Sequence, residues 1–421
     1  MGLRQRAVVR VVDDPPCRFC GAPLEHVFAD LGMQPVANDN VPLEHASAME
    51  PFFPLCALVC ARCFLVQLAP YETPKPIFRD DYAYFSSYST SWLEHSRRYA
   101  EEMTERLGLD ASSQVIELAS NDGYLLQYFH EAGVPVLGIE PTANTAQVAI
   151  DKGIRTRVNF WGVETARAVA AETQADLLLG NNVLAHVPDI NDFVAGMKLA
   201  LKPGGVITME FPHLLKLIEL NQWDTIYHEH FSYLSFATVG RVFAAHGLRL
   251  FDVQELATHG GSLRIFACHD EEGLAQTLAA REMLEREAAA GLGELQTYLD
   301  YGARVAADKL QILEFLIDLK HAGNSIAGYG APAKGNTMLN YCGVGREFID
   351  FTCDANPHKQ GNVLPGTHIP VLAPSAIAER KPDVVLVLPW NIKEEIMDQL
   401  AGIRDWGGRF AARAPELRLF P

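Results

Sequence analysis

The sequence predicts an α/β protein: a doubly wound, Rossmann-like sheet, preceded by a small cysteine-rich domain and followed by a second Rossmann-like α/β domain. Three observations carry this expectation. Two C-x2-C pairs stand within residues 17–63. From Tyr82 to about His269 short apolar runs alternate with amphipathic stretches, the pattern of a parallel sheet covered by helices. A second strand–helix series begins after a helical stretch at Leu274–Ala322. The chain therefore divides into 1–75, 76–270, a helical connector at 271–322, and 323–421.

Composition narrows the classes. At 421 residues the chain has room for two or three domains. With 48% hydrophobic and 21% charged residues it has the profile of a soluble globular protein, and no long uncharged apolar run offers a membrane span. The opening MGLRQRAVVRVVDD lacks the apolar centre of a secretory signal, so a cytoplasmic location is expected. A net charge of −17 opposes a nucleic-acid surface but leaves room for a phosphate-bearing small molecule. The eight cysteines then point to reduced thiols and metal ligation.

Taken in order, the first domain (1–75) carries Cys17-Arg-Phe-Cys20 and Cys60-Ala-Arg-Cys63. Four thiolates arranged as two knuckles match a tetrahedral structural zinc site. The stretch between them is proline-rich and weakly periodic, so metal binding is expected to supply much of its folding energy. The alternative, four unligated cysteines, is opposed by two such pairs in one short segment.

In the second domain the strands read as Val115–Leu118, Val136–Ile139, Ala175–Leu179, Gly205–Glu210, Leu248–Glu255 and Ser262–Ala267. The first ends in Glu117-Leu-Ala119-Ser-Asn121-Asp122-Gly123, a small-residue turn leading into a helix near Tyr124. A dinucleotide enzyme would show G-x-G-x-x-G here, where a pyrophosphate meets a helix N-terminus. Instead Glu117 and Asp122 would repel phosphate and welcome a cationic ligand. The second strand ends at Glu140, a carboxylate placed to accept both ribose hydroxyls. The strand Ala175–Leu179 continues into Gly180-Asn181-Asn182-Val-Leu-Ala-His186, and Lys202-Pro-Gly-Gly205 opens the next strand. Together these motifs resemble the S-adenosylmethionine (SAM)-dependent methyltransferase superfamily, which implies a SAM-binding domain at 76–270. Ala119 stands where many of those enzymes carry glycine, and alanine is expected to fit with a negative φ in a slightly altered loop.

Beyond the strand Gly205–Glu210, Tyr227, His228, Glu229, His230 and Tyr233 place five proton-transfer groups within seven residues. Imidazole suits proton abstraction near neutral pH, and an adjacent carboxylate can fix its tautomer. A polar surface loop is the bland alternative, which the density opposes. The zinc-protease pattern H-E-x-x-H is absent from this run.

The cysteine pairs, the ELASNDG turn, the Y-H-E-H-F-S-Y-L-S run, T-H-G-G-S-L-R and G-Y-G-A-P-A-K-G-N resemble, over nearly the whole chain, the nucleotide-sugar C-methyltransferases. The resemblance implies that a base removes the C3 proton beside a C4 ketone of a nucleotide-linked deoxysugar, and that the enediolate attacks the methyl of SAM. It makes Tyr227, Glu229 and His230 the active-site cluster, with His230 as base and His186 facing the same cleft. Tyr227 or His186 would donate to the oxyanion, and His228 and Tyr233 would lie against the substrate.

The last domain has Gly328-Tyr-Gly330-Ala-Pro-Ala-Lys334-Gly-Asn336 between a strand and a helix, a glycine-rich phosphate-type loop. Strands at Ser325–Tyr329, Phe348–Cys353 and Val384–Val387 aim this loop, Lys359 and Trp390 toward one edge. The resemblance implies that Gly330, Lys334, Asn336, Lys359 and Trp390 hold the nucleotide-diphosphate end of the sugar. Three alternatives remain from the residues: an NAD-dependent sugar oxidoreductase, opposed by the missing third glycine; a non-enzymatic sugar-nucleotide binder; and a methyltransferase acting on a non-sugar or an oxygen.

Overall fold

The structure, a computed structural model, describes residues 15–69, 85–413 and 416–421. The reading of the N-terminus, Tyr82 and the boundary at 75/76 lie outside the described residues.

Buried apolar runs form the centre of the first sheet: Val115–Leu118, Val136–Ile139 and Ala175–Asn181. From edge to edge the order is Leu248–Leu256, Ser262–His269, Leu201–Pro212, Ala175–Asn181, Val115–Leu118, Val136–Ile139 and Thr156–Arg157. The last five pair in parallel, and the first two add an antiparallel hairpin. Chain order reverses beside Val115–Leu118, which opens a crevice between the loop after it and the loop after Ala175–Asn181. Leu201–Pro212 is longer than the apolar run alone suggests, because a register shift against Ala175–Leu177 absorbs residues 202–205.

The C-terminal sheet repeats this plan with the order Val371–Leu372, Thr352–Cys353, Ile326–Tyr329, Val384–Val387, Arg409–Arg413 and Leu417–Phe420. Its reversal lies between Ile326–Tyr329 and Val384–Val387, so the loops carrying Gly330 and Trp390 flank a second crevice. The run Phe348–Cys353 yields only the short strand Thr352–Cys353. The connector, which reads as one helical stretch, is three helices: Leu278–Ala289, Leu295–Leu299 and Tyr301–His321. Gly291, at φ 82, separates the first two.

The weakly patterned head hides a sheet. His26–Gln34, Phe53–Val59 and Val66–Leu68 pair antiparallel, and Ser232–Tyr233, just past His230, completes the row. Register shifts within His26–Gln34 blur the alternation that would have announced it. The head also pairs with the C-terminal domain, Val41–Pro42 against Asn362–Val363. Phe28 stacks on Tyr301 of the connector at 4.5 Å between ring centroids. One buried cluster thus runs from the head through the connector into the C-terminal sheet.

The four cysteine sulfurs lie within 4.8 Å of one another, with Cys17 to Cys63 at 3.6 Å and Cys20 to Cys60 at 3.5 Å. Zinc–sulfur bonds of about 2.3 Å in a tetrahedron require sulfur–sulfur edges of about 3.8 Å, so the donors fit the ion. Each knuckle turns back on its first cysteine: Gly21 N–H donates to Cys17 O and Phe64 N–H to Cys60 O. Both turn residues take positive φ, 70 and 62. We expect one zinc per chain in purified protein and its loss in Cys60→Ser, measured by elemental analysis. Undiminished zinc in the variant would remove the site.

Candidate active site

The turn after Val115–Leu118 alternates left-handed residues: Ala119 at φ 56, Asn121 at φ 48 and Gly123 at φ 75. This corrects the expectation of a negative φ at Ala119. An L-residue there costs about 1–2 kcal/mol, and the surroundings hold it. Ser120 N–H donates to Ile139 O, and Asn121 N–H donates to Glu140 Oε2 at 2.8 Å. Gly138 has no space for a side chain, since a Cβ would stand 2.4 Å from Ser120 Oγ. The helix that follows begins at Leu126, two residues later than the sequence suggests.

Glu140 is 4% exposed and also accepts Thr142 N–H at 2.9 Å, while burial pushes its carboxyl above the ordinary range. Ala119, Asn121, Glu140, Asn181 and Asn182 all line a cavity of about 890 Å³. Asn181 has both carboxamide atoms buried and without hydrogen-bond partners, ready for a ligand. Phe160 and Trp161 add an aromatic wall beside Glu140 and Pro141. Ribose acceptor, free carboxamide and aromatic wall fit SAM. Glu117, Asp122 and Gly123 stand behind this wall and do not line the cavity. Glu117 is fully buried against Tyr124, and burial holds its carboxyl well above the usual range. Asp122 instead accepts from the Ser87 amide and hydroxyl. These three residues build the turn and do not offer charge to the ligand.

The other end of the same cavity is lined by Tyr227, Glu229, His230 and His186. His230 Nδ1 lies 3.0 Å from Thr225 O, and a carbonyl only accepts, so Nδ1 carries the proton. Its Nε2 lone pair then accepts from the Tyr227 hydroxyl at 2.8 Å. His186 is fixed in the same way, donating from Nδ1 to Glu229 O at 2.7 Å, and its ring stands edge-on to His230 at 4.7 Å. Burial holds His230 well below its ordinary pKa and His186 at about 4, so both are neutral at pH 7. Burial has the opposite sign for Glu229, pushed up to about 7.

The C-terminal domain contributes Lys334 and Lys359 to this wall. Lys334 Nζ donates to Asn391 Oδ1 at 2.7 Å and lies 4.5 Å from the Trp390 ring centroid, with burial lowering it to about 8. Lys359 donates to Ala331 O at 2.8 Å. Five residues expected at the substrate are displaced from the cavity wall. His228 lies against Pro54 O and Phe53. Tyr233 is taken into the head sheet. Gly330, at φ 91, packs on Pro389. Asn336 donates to Ala37 O at 2.6 Å, and Trp390 donates to Asp224 at 2.6 Å. Asn336 and Trp390 spend their donors on contacts between domains.

Residues not singled out from the sequence also line the cavity, among them Asn38, Trp92 and His259. His259, at φ 55, meets Asn182 at 2.9 Å and the Trp92 ring edge at 5.4 Å. The adjacent aromatics Phe160-Trp161, just past the third parallel strand, were a readable signal. Asn38 and His259 were not, since only tertiary structure brings them here.

A crevice at the sheet reversal with an acid closing the second strand is the arrangement of a SAM-dependent methyltransferase. Family models agree segment by segment: a zinc binding domain over residues 17–78, a methyltransferase domain over 92–253 and a C-methyltransferase C-terminal domain over 257–415. The chain is 36% identical over 413 residues to the C-methyltransferase NovU of Streptomyces niveus, covering 98% of both chains. The chain belongs to this C-methyltransferase family. A ubiquinone biosynthesis O-methyltransferase of Chelativorans sp. (strain BNC1) is 28% identical over 96 residues, 22% of this chain and 38% of that one. Among solved structures, the CcbJ methyltransferase of Streptomyces caelestis matches 41% of this chain and 89% of its own at 14% identity, with a TM-score of 0.33. No helix among the described residues is long and apolar enough to cross a membrane.

Glu140→Ala should weaken SAM binding about ten- to a hundredfold, the loss of about 1.5–3 kcal/mol for hydrogen bonds to a charged acceptor. It also releases the Asn121 amide, so the turn loosens with it. Unchanged SAM affinity by calorimetry would place the ribose elsewhere.

Proposed function

We propose that the acceptor is a nucleotide-linked keto-deoxysugar, methylated at the carbon beside the ketone, C3 of a 4-keto sugar. The observation that carries this reading is the shared cavity, with a neutral His230 and Tyr227 at one wall and two lysines of the C-terminal domain at another. In a chain of net charge −17, a buried lysine opening on a cavity suits a phosphate-bearing substrate.

Bound SAM supplies an electrophilic methyl group. The chain's residues prepare the carbon that receives it. His230 is fixed with Nε2 as its basic atom, so it can take the proton of the carbon next to the ketone. Negative charge then builds on the ketone oxygen, where the Tyr227 hydroxyl is the donor at hand. His186, neutral and edge-on to His230, keeps a second imidazolium from forming beside it. Lys334 and Lys359 hold the diphosphate, and Glu140 with Asn181 holds the other ligand across the cavity. Walls from three domains limit the water that reaches the carbanion.

Incubation with a dTDP-linked 4-keto deoxysugar tests the reading. With SAM, mass spectrometry should show one added methyl on carbon. Without SAM, the C3 hydrogen should exchange in deuterated water. Lys334→Ala should raise KM for the sugar nucleotide about tenfold or more while leaving SAM affinity and kcat nearly unchanged, the mark of lost uniform binding. In the wild type, KM should climb as pH passes about 8, where the buried ammonium loses its proton. Neither exchange nor transfer with any keto-sugar nucleotide would turn the assignment to a different acceptor.

A further inference from the structure

One wall of the acceptor end comes from the cysteine head. After His26–Gln34 the chain turns back, with Asp39 N–H donating to Val36 O at 3.1 Å. The C-terminal domain grips this turn twice. Asn336, 1% exposed, donates to Ala37 O at 2.6 Å, and Val41–Pro42 pairs with Asn362–Val363. Between these two anchors Asn38 reaches the cavity, and its Nδ2 donates to Glu229 Oε2 at 2.5 Å. Glu229 is 8% exposed and lies in the run that also holds Tyr227 and His230.

We infer that Asn38 is a positioning residue, a carboxamide carried in from the cysteine head that holds the Glu229 carboxyl in the orientation the acceptor meets. The inference rests on the reading of Glu229 as an acceptor-site group. It gives the head a part in acceptor selection beyond bearing the metal site. A carboxamide donor on a buried carboxyl fixes which oxygen faces the cavity.

The surroundings of Glu229 give the arrangement a signature. Burial raises its carboxyl, Asp39 of the same turn adds to that, and Asn38 and the more distant Lys359 of the C-terminal domain oppose it. The nearby His186 and His230 are neutral at pH 7, and His186 Nδ1 donates to the Glu229 backbone carbonyl. Asn38 is a neutral donor on the carboxyl. Removing its amide raises the protonation midpoint, and a carboxylate in its place raises it further.

The test compares wild type with Asn38→Ala and Asn38→Asp. The protonated-carboxyl band is followed by infrared difference spectroscopy against pH and assigned by its absence in Glu229→Gln. The side chain sits on the rim of the cavity, so both variants should fold, and zinc content and SAM affinity check this. Expected are a wild-type midpoint near 7, an upward move in Asn38→Ala and a larger one in Asn38→Asp. SAM affinity should stay within about twofold, and kcat/KM for the sugar nucleotide should fall about ten- to a hundredfold at neutral pH. A midpoint that moves in neither folded variant overturns the inference. The spectroscopic arm uses no acceptor, so failure of the sugar assignment leaves it standing and is told apart from its failure.

Discussion

His230→Gln is expected to lower methyl transfer by about 10²–10⁴, the range that a positioned general base contributes. Glutamine keeps a polar group in the loop but has no basic nitrogen to take the proton. The Thr225 carbonyl that now fixes the imidazole tautomer would meet a carboxamide, and the Tyr227 hydroxyl would lose its acceptor at 2.8 Å. SAM affinity should remain within about twofold, because the residue lies at the acceptor end. Exchange of the substrate hydrogen in deuterated water should fall in parallel with transfer. If the variant exchanges at the wild-type rate, the base is another group, and Glu229, pushed up to about 7 and on the same wall, is the next to replace.

Arg413→Met should cost about 3–5 kcal/mol of stability, the penalty for leaving buried charge without its partner. Arg413 joins Asp224 at 2.9 Å and Asp308 at 2.6 Å, and all three are buried. Each aspartate also takes an indole N–H at 2.6 Å, Asp224 from Trp390 and Asp308 from Trp223. The cluster ties the C-terminal sheet, the connector and the segment leading to Tyr227 together at one point. Without the guanidinium, two carboxylates face each other with only indoles to satisfy them. Adding Asp224→Asn and Asp308→Asn to the variant should recover part of the loss, since the repulsion goes with the charges. Urea unfolding followed by tryptophan fluorescence measures both. A cost below about 1 kcal/mol would mean that water reaches the cluster and the pair behaves as a surface one.

What the sequence made legible is what local pattern controls. Buried β-branched runs announced the parallel strands Val115–Leu118, Val136–Ile139 and Val384–Val387. Cysteine spacing announced the four sulfurs that converge. Strands of two residues such as Thr352–Cys353 and Ser232–Tyr233 carry too little periodicity to announce themselves. Ala119 misled because its left-handed backbone is imposed by Ser120, Ile139 and Glu140 and not by its own preference. Of the polar residues expected around the substrate, Tyr227, Glu229, His230 and Lys334 do meet in one cavity. His228, Asn336 and Trp390 were placed at the substrate by resemblance, and a shared motif does not distinguish a ligand contact from a domain contact. Asn38 reaches Glu229 across 191 positions of sequence, a distance no local motif spans.

The shared head sheet bears on how such enzymes can be recombined. Ser232–Tyr233 pairs with Val66–Leu68, so the ladder is written half in the N-terminal segment and half just past His230. A chimaera joined at the boundary between head and methyltransferase domain would therefore splice strands from two parents into one sheet, beside the wall that holds Tyr227 and His230. The unit that can be inherited intact is the head together with the loop from Asp224 to Tyr233, two separate stretches of gene that must travel as one.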